Sequence, residues 1–207
     1  MHTALTDLVG CRYPLQQAAM GGVATPELAG AVARAGALGM LCEFDAQPSS
    51  QRMKLAVSLA SGGSVGMGFF GHWIHGDLET FEHAANVLDV VEVFWTSPDA
   101  SLVDRARRSG DALVAWQVGS RDDAIAAEDA GCDFVVAQGV ESGGHVRGTT
   151  PRIELLAAVL ARVSLPVVVA GGIANATDVA RANARQFPDA PQPDPGRRPG
   201  SSWSWPG

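Results

Sequence analysis

The chain holds 207 residues with 15 basic and 22 acidic side chains, and the net charge of −7 argues against a nucleic-acid footprint or an anionic-membrane surface. Charged residues are 18% and hydrophobic ones 46%, which describes a globular chain able to bury a core and excludes a disordered charged tract. Cys11, Cys42 and Cys132 are odd in number, widely separated and without CxxC spacing, so neither a disulfide framework nor a zinc site is expected and a cytoplasmic setting is.

The N-terminal stretch "MHTALTDLVGCRYPLQQ" lacks the basic and apolar regions of a signal peptide. Beyond it, short apolar runs alternate with Ala-rich segments of helical period, the pattern of βα units around a parallel sheet. Seven runs read as strands: Pro14–Met20, Leu38–Cys42, Val65–Phe70, Val90–Trp95, Ala112–Val118, Asp133–Gln138 and Pro166–Ala170, each followed by a helix candidate. The first helix is well marked, with Thr25 as cap, Pro26 at its first position, Glu27 facing the dipole and Gly36 closing it. The segment from Ser120 to Gly131 has the same cap-and-stop form.

No GxGxxG turn follows the first run, and many runs end in polar or glycine-rich loops, which favours a TIM (β/α)₈-type barrel over an open doubly wound sheet. The longest apolar stretch, Leu155 to Ala174, is interrupted by Arg162 and Pro166 and should not span a bilayer. An eighth strand is missing. The sequence from Phe187 onward holds six of the twelve prolines and has no period, so a barrel domain over 1–185 and an irregular Pro/Gly-rich tail over 186–207 are expected. The abrupt change of composition reads as a shifted reading frame, with a native linker as the alternative.

In such a barrel, function gathers at the carboxyl ends of the strands. His145 lies there, in "QGVESGGHVRG", after two glycines that let a planar ligand come close, and an imidazole exchanges protons near neutral pH. A plain surface histidine is the alternative. Gly171 and Gly172 end the last run before a helix, the setting of a phosphate cradle or of a tight turn. Ala19, Met20 and Gly21 offer a flat surface for an aromatic ring system, although Met20 could equally be core. Gln117 and Gln138 stand near strand ends, where an amide can meet a heterocycle edge or be solvated. His72 and His75 are spaced for one helical face, but no third ligand follows, so they are expected to line the mouth with Trp73 and to hold no metal. Glu92, inside an apolar strand, is expected to be a hydrogen-bonded structural carboxylate.

Taken in order and spacing, "PLQQAAMGGVATPELAGAVARAGALGML", "QGVESGGHVRG" and "PVVVAGGIAN" resemble the nitronate monooxygenase (2-nitropropane dioxygenase) family over about Pro14 to Asp178. The resemblance implies an FMN-dependent TIM barrel that oxidises alkyl nitronates or nitroalkanes with O₂. Carried over by position, His145 is the catalytic base, Ala19, Met20 and Gly21 pack by the flavin ring, Gln138 and Gly143 bond FMN, Gly171 and Gly172 hold its phosphate side, and Gln117 faces the flavin. Gly68 stands where the family often has a flavin-contacting asparagine, and Ser142 where alanine is usual.

The family's last strand and Gly-Thr-Arg phosphate loop have no counterpart in the tail, which implies weakened FMN binding. The alternatives are a flavin enoyl-carrier-protein reductase, whose family shares the Gly-Gly-His and Ala-Gly-Gly-Ile stretches, and an inactive relic of the family. The partners implied are a small nitronate or nitroalkane and O₂, with no nucleic acid and no membrane, and with room for a homo-oligomer.

Overall fold

The computed structural model describes residues 2–43 and 49–186. The chain divides between Gly171 and Gly172 into two compact units. The first carries β1 (Gly39–Cys42), β2 (Val65–Phe70), β3 (Val90–Phe94), β4 (Leu113–Val118), β5 (Phe134–Gln138) and β6 (Val167–Ala170), all parallel and in sequence order across one sheet. Before them come α1 (Ala4–Val9) and α2 (Pro26–Arg34), and between them run α3 (Ser49–Ala60), α4 (Gly71–Ile74), α5 (Leu78–Val87), α6 (Ala100–Ser109), α7 (Arg121–Asp129) and α8 (Arg152–Leu160). This is the incomplete (β/α)₈-type barrel that the alternation of runs implied.

The run Pro14–Met20 is the exception. It forms a single parallel bridge, Gln16 to Leu38, with Leu38 donating to Leu15 O at 2.9 Å and Gln17 donating to Leu38 O at 3.0 Å. Beyond Gln17 the segment leaves β1 and ends in a turn, Ala24 donating to Met20 O at 2.8 Å, so the first of the seven runs shrinks to one bridge.

Period-two alternation sorts each strand's side chains between two layers. On β4, Val114, Trp116 and Val118 face the helices in the larger core, while Leu113 and Ala115 join the inner cluster. That inner cluster also takes Leu38, Met40, Val90, Phe134 and Val136, together with Leu5, Val9 and Cys11 from α1 and the turn after it. Ser64, just before β2, donates to Val9 O at 3.1 Å, which places α1 at the amino end of the sheet, away from the mouth.

The helices start and stop where their residues dictate. Thr25 accepts from Leu28 N at 3.3 Å and Ser120 from Asp123 N at 3.0 Å, each satisfying an amide that the helix leaves open. After α2 the backbone at Gly36 takes φ +97°, which a side chain would resist. The N-terminal α1 is set by a capping box between Thr3 and Thr6.

The second unit contains α9 (Ala176–Gln186), capped by Asn175, whose Oδ1 accepts from Thr177 N at 2.9 Å and Asp178 N at 3.1 Å. The tail expected over 186–207, and with it Trp203 and Trp205, lies from residue 187 on outside the described residues. No helix among the described residues is long and apolar enough to cross a membrane.

Candidate active site

The carboxyl ends of β2, β3 and β5 bring a set of rings to one place. Phe70, the last residue of β2, is buried and touches five other rings. Trp95 stacks on it at 5.4 Å and Trp73 lies tilted at 4.8 Å, while Phe94 and His145 meet it edge-on at 5.2 and 5.0 Å. His145 also meets Trp95 edge-on at 5.2 Å. The imidazole is exposed, and neither of its nitrogens bonds to a described residue. Ring contacts alone hold it, which leaves its nitrogens available to a ligand.

The loop that carries His145 is fixed from three sides. The Nε2 of Gln138, at the end of β5, donates to the His145 carbonyl at 3.2 Å. Arg147 grips Asp123 at the start of α7 with two bonds of 3.0 and 3.2 Å and reaches Ser97 Oγ at 3.1 Å. Burial pushes Asp123 up, but the Arg147 guanidinium and the Gly119 amide more than offset this and hold its carboxyl below the usual range. Gly148 passes so close to Gly119 that a Cβ there would lie 2.5 Å from the Gly148 nitrogen. The carboxylate of Glu141 accepts from Arg152 N at 2.8 Å and so caps α8, whose N-cap position holds a proline that offers no side-chain bond.

The residues singled out by sequence fall around this loop. Gln138 is buried, and its Oε1 has no partner among the described residues. A Cβ on Gly143 would meet nothing within 4 Å. Gly171 has φ +118°, and a Cβ there would lie 2.8 Å from the Oγ of Ser142, itself buried and unpartnered. Gly172, the first residue of the second unit, has φ +61°. Gln117 faces the inner side of β4, half-buried, with no hydrogen bond to a described residue.

Ala19 is half-buried, whereas Met20 and Gly21 are exposed. Gly68 supports this loop: a Cβ on it would lie 2.5 Å from the Ala19 Cβ, so the place of the family's asparagine is filled by Ala19. His72 joins the ring cluster at 5.6 Å from both Phe70 and Trp95, and Trp73 is 53% exposed beside it. His75 makes no ring contact and ends α4. No group of three or more His, Cys, Asp or Glu residues among the described ones is arranged to hold a metal.

Under the mouth, Glu92 lies in register with Gly68 on β2 and Ala115 on β4 and accepts a hydrogen bond from Gln16 Nε2. It is the structural carboxylate expected. Loss of water pushes it up to about 7 against the opposing pull of the Gln16 amide.

Three site groups escaped the reading of the sequence. Glu43, next after β1, accepts from Phe70 N at 3.1 Å, and burial raises its carboxyl despite that bond, with Asp77 adding to the rise. Its signal was an acid directly behind an apolar run. Arg52 is buried, and its guanidinium holds Cys42 O at 2.8 Å and Ala24 O at 3.4 Å, fixing the Met20 loop to the end of β1. Within an ordinary helical pattern an arginine reads as a solvated residue, so nothing local marked it. Trp95 was read only as the end of a strand, although its backbone has φ +61°.

The chain is similar to several known proteins. A sequence profile of the family described as nitronate monooxygenase matches residues 2–61 and 78–185. A (3aS,4S,5R,7aS)-5-hydroxy-7a-methyl-1-oxo-octahydro-1H-indene-4-carboxyl-CoA dehydrogenase of Rhodococcus jostii is 33% identical over 188 residues, 89% of this chain and 52% of its own. A probable nitronate monooxygenase of Staphylococcus aureus is 27% identical, covering 82% of this chain and 60% of its own. Among solved structures, FabK from Thermotoga maritima superposes with a TM-score of 0.77 at 29% identity, over 89% of this chain and 58% of that one. A nitroalkane oxidase from Streptomyces ansochromogenes gives 0.73 at 31%, over 88% and 64%. The chain spans 52% to 60% of the length of the curated relatives it matches.

Proposed function

The chain belongs to the nitronate monooxygenase family, and from that premise we propose that it is a cytoplasmic FMN-dependent oxidoreductase that oxidises alkyl nitronates and nitroalkanes with O₂. The observation that carries this reading is His145: an exposed imidazole at the carboxyl end of the sheet, held by the Phe70 and Trp95 rings with both nitrogens free of described partners. Such a group takes the α-proton of a neutral nitroalkane onto a ring nitrogen. The Gln138 bond to its carbonyl and the Arg147–Asp123 pair keep the loop in place while it does so.

The residues present fit a flavin. The unpartnered Oε1 of Gln138 is an acceptor for a ring N–H, and the space above Gly143 lets its amide approach a ligand without a Cβ in the way. Ala19, Met20 and Gly21 present small or flexible surface for a ring face, and the Gly171 amide precedes a helix start, suited to phosphate. Bound there, FMN would take the electrons of the substrate and pass them to O₂. Gln117 would meet the same ligand from β4.

A second reading, oxidation of a CoA thioester, follows from the 33% identity to the indene-4-carboxyl-CoA dehydrogenase of Rhodococcus jostii. A hydrogen next to a thioester carbonyl is acidified as one next to a nitro group is, so the same base serves both. The test is oxygen uptake by the full chain with FMN and nitroalkane in the absence of nicotinamide. Uptake supports the proposal; reduction of added FMN by a CoA thioester, with no uptake on nitroalkane, would replace it with the thioester reading.

A further inference from the structure

Trp95 stands out among the residues at the mouth. Its backbone lies at φ +61°, and apart from Ser61 it is the only non-glycine among the described residues with positive φ. For a bulky side chain this region costs energy and persists only where the surroundings impose it. Here they do. The Nε1 of Trp116 donates to Thr96 O at 3.1 Å, and the Thr96 side chain packs against Gly71 so tightly that any Cβ on Gly71 would collide with it. The residue that follows Trp95 is thus gripped from two sides, by its carbonyl and by its side chain, and the indole is held over Phe70 and beside His145.

The two neighbouring indoles differ in one respect. Trp116, on the helix-facing side of β4, has its N–H satisfied, whereas the buried Nε1 of Trp95 has no acceptor among the described residues. A buried donor without a partner is unfavourable in the free protein and becomes favourable when a ligand brings an acceptor. His145 meets the Trp95 ring edge-on and is itself held by ring contacts alone, so a rotation of its side chain makes room beside the indole without breaking a hydrogen bond.

The geometry points to Trp95 as a substrate-binding residue whose indole N–H donates to an anionic oxygen of the substrate, the oxygen of a nitronate or an isoelectronic group, beside His145. This rests on the functional reading above only for the identity of the substrate. The ligand class is an apolar body, accommodated by the Phe70 and Trp73 rings, that carries a negatively charged oxygen on a planar centre.

The test uses binding rather than turnover. Benzoate carries a planar anionic group isoelectronic with a nitronate, and toluene has the same ring without oxygen. Both are titrated into the full chain with excess FMN, wild type and Trp95→Phe, which keeps a ring on Phe70 and removes the N–H together with part of the indole's apolar area, a loss that the toluene arm reads separately. The expected result is a rise of about tenfold in the benzoate dissociation constant, as for loss of one hydrogen bond to a charged group, with toluene unchanged. Equal shifts for both ligands, no shift for either, or wild-type chain that prefers toluene would overturn the assignment. An independent readout needs no folded variant: among the five indole N–H resonances of wild type, that of Trp95 moves downfield with benzoate and that of Trp116 does not. Failure of that movement also overturns it. A selective benzoate effect without nitronate turnover would sink the proposed function and leave this inference standing.

Discussion

Ala19 rests directly on Gly68: a Cβ on the glycine would sit 2.5 Å from the alanine Cβ, closer than two carbons pack. The Met20 loop therefore lies against β2 because residue 68 has no side chain. Gly68→Asn, which restores the residue common in the family, should push that loop outward and cost about 1 to 3 kcal/mol, the usual range for overpacking. Thermal unfolding should show a midpoint lower by roughly 2 to 4 °C per kcal/mol. An unchanged midpoint together with tighter flavin binding would mean that the loop has room for the asparagine.

Glu92 should make stability depend on pH in a stated direction. Its folded carboxyl is pushed by burial from the ordinary 4.5 up to about 7, so the protonated form suits the fold. The contribution is fully present below pH 4.5 and is lost as pH rises through about 7. At about 1.36 kcal/mol per pH unit the loss amounts to about 3 kcal/mol. Glu92→Gln, permanently neutral, should be the more stable protein above pH 7 and the pH dependence between 4.5 and 7 should flatten. Denaturant unfolding at pH 5 and pH 8 checks it; parallel curves for the two proteins would show that Glu92 does not titrate in this window.

The strands β2 to β5 were legible because each is a run of residues largely buried on both faces, and such runs have little else to become. The run Pro14–Met20 misled because its small and apolar residues serve a loop: Gln16 and Gln17 are spent on Glu92 and Met40 O, while Leu15 and Met20 are exposed. The place of His145 was legible from the glycines before it and the strand they follow. What fixes that place was not. Gln138 to His145 O spans seven residues, Arg147 to Asp123 spans 24 and Arg147 to Ser97 spans 50, and no local pattern encodes a bond across such separations. The left-handed Trp95 was hidden for the same reason, since its conformation is imposed by Trp116 and Gly71 from two other strand ends.

Gly143 separates a ligand role from a structural one more cleanly than Gly171 does. At Gly171, φ +118° strains any other residue whatever binds there, whereas at Gly143 a Cβ meets no chain atom within 4 Å and φ is not positive. Gly143→Ala should fold with an unchanged thermal midpoint and bind FMN at least about tenfold more weakly, because the added methyl stands where the amide must approach the ligand. Flavin titration beside a thermal melt decides it. Equal FMN affinity in the two proteins would remove Gly143 from the cofactor site.

His145→Ala is expected to lower turnover of a neutral nitroalkane by ~10² to 10⁴, the usual worth of a positioned general base. The variant is a clean one, because the bond that ties the loop to Gln138 uses the His145 carbonyl and survives loss of the ring, while Arg147 still holds Asp123. The lost contacts are those with Phe70 and Trp95. A preformed nitronate has already given up its α-proton and needs no base, so its turnover should fall far less. Steady-state kinetics on nitroethane and on ethylnitronate, measured side by side, give the ratio of the two losses. A ratio near one would assign His145 to substrate binding or ring packing instead of proton transfer, and a full loss on ethylnitronate alone would place it after the deprotonation step.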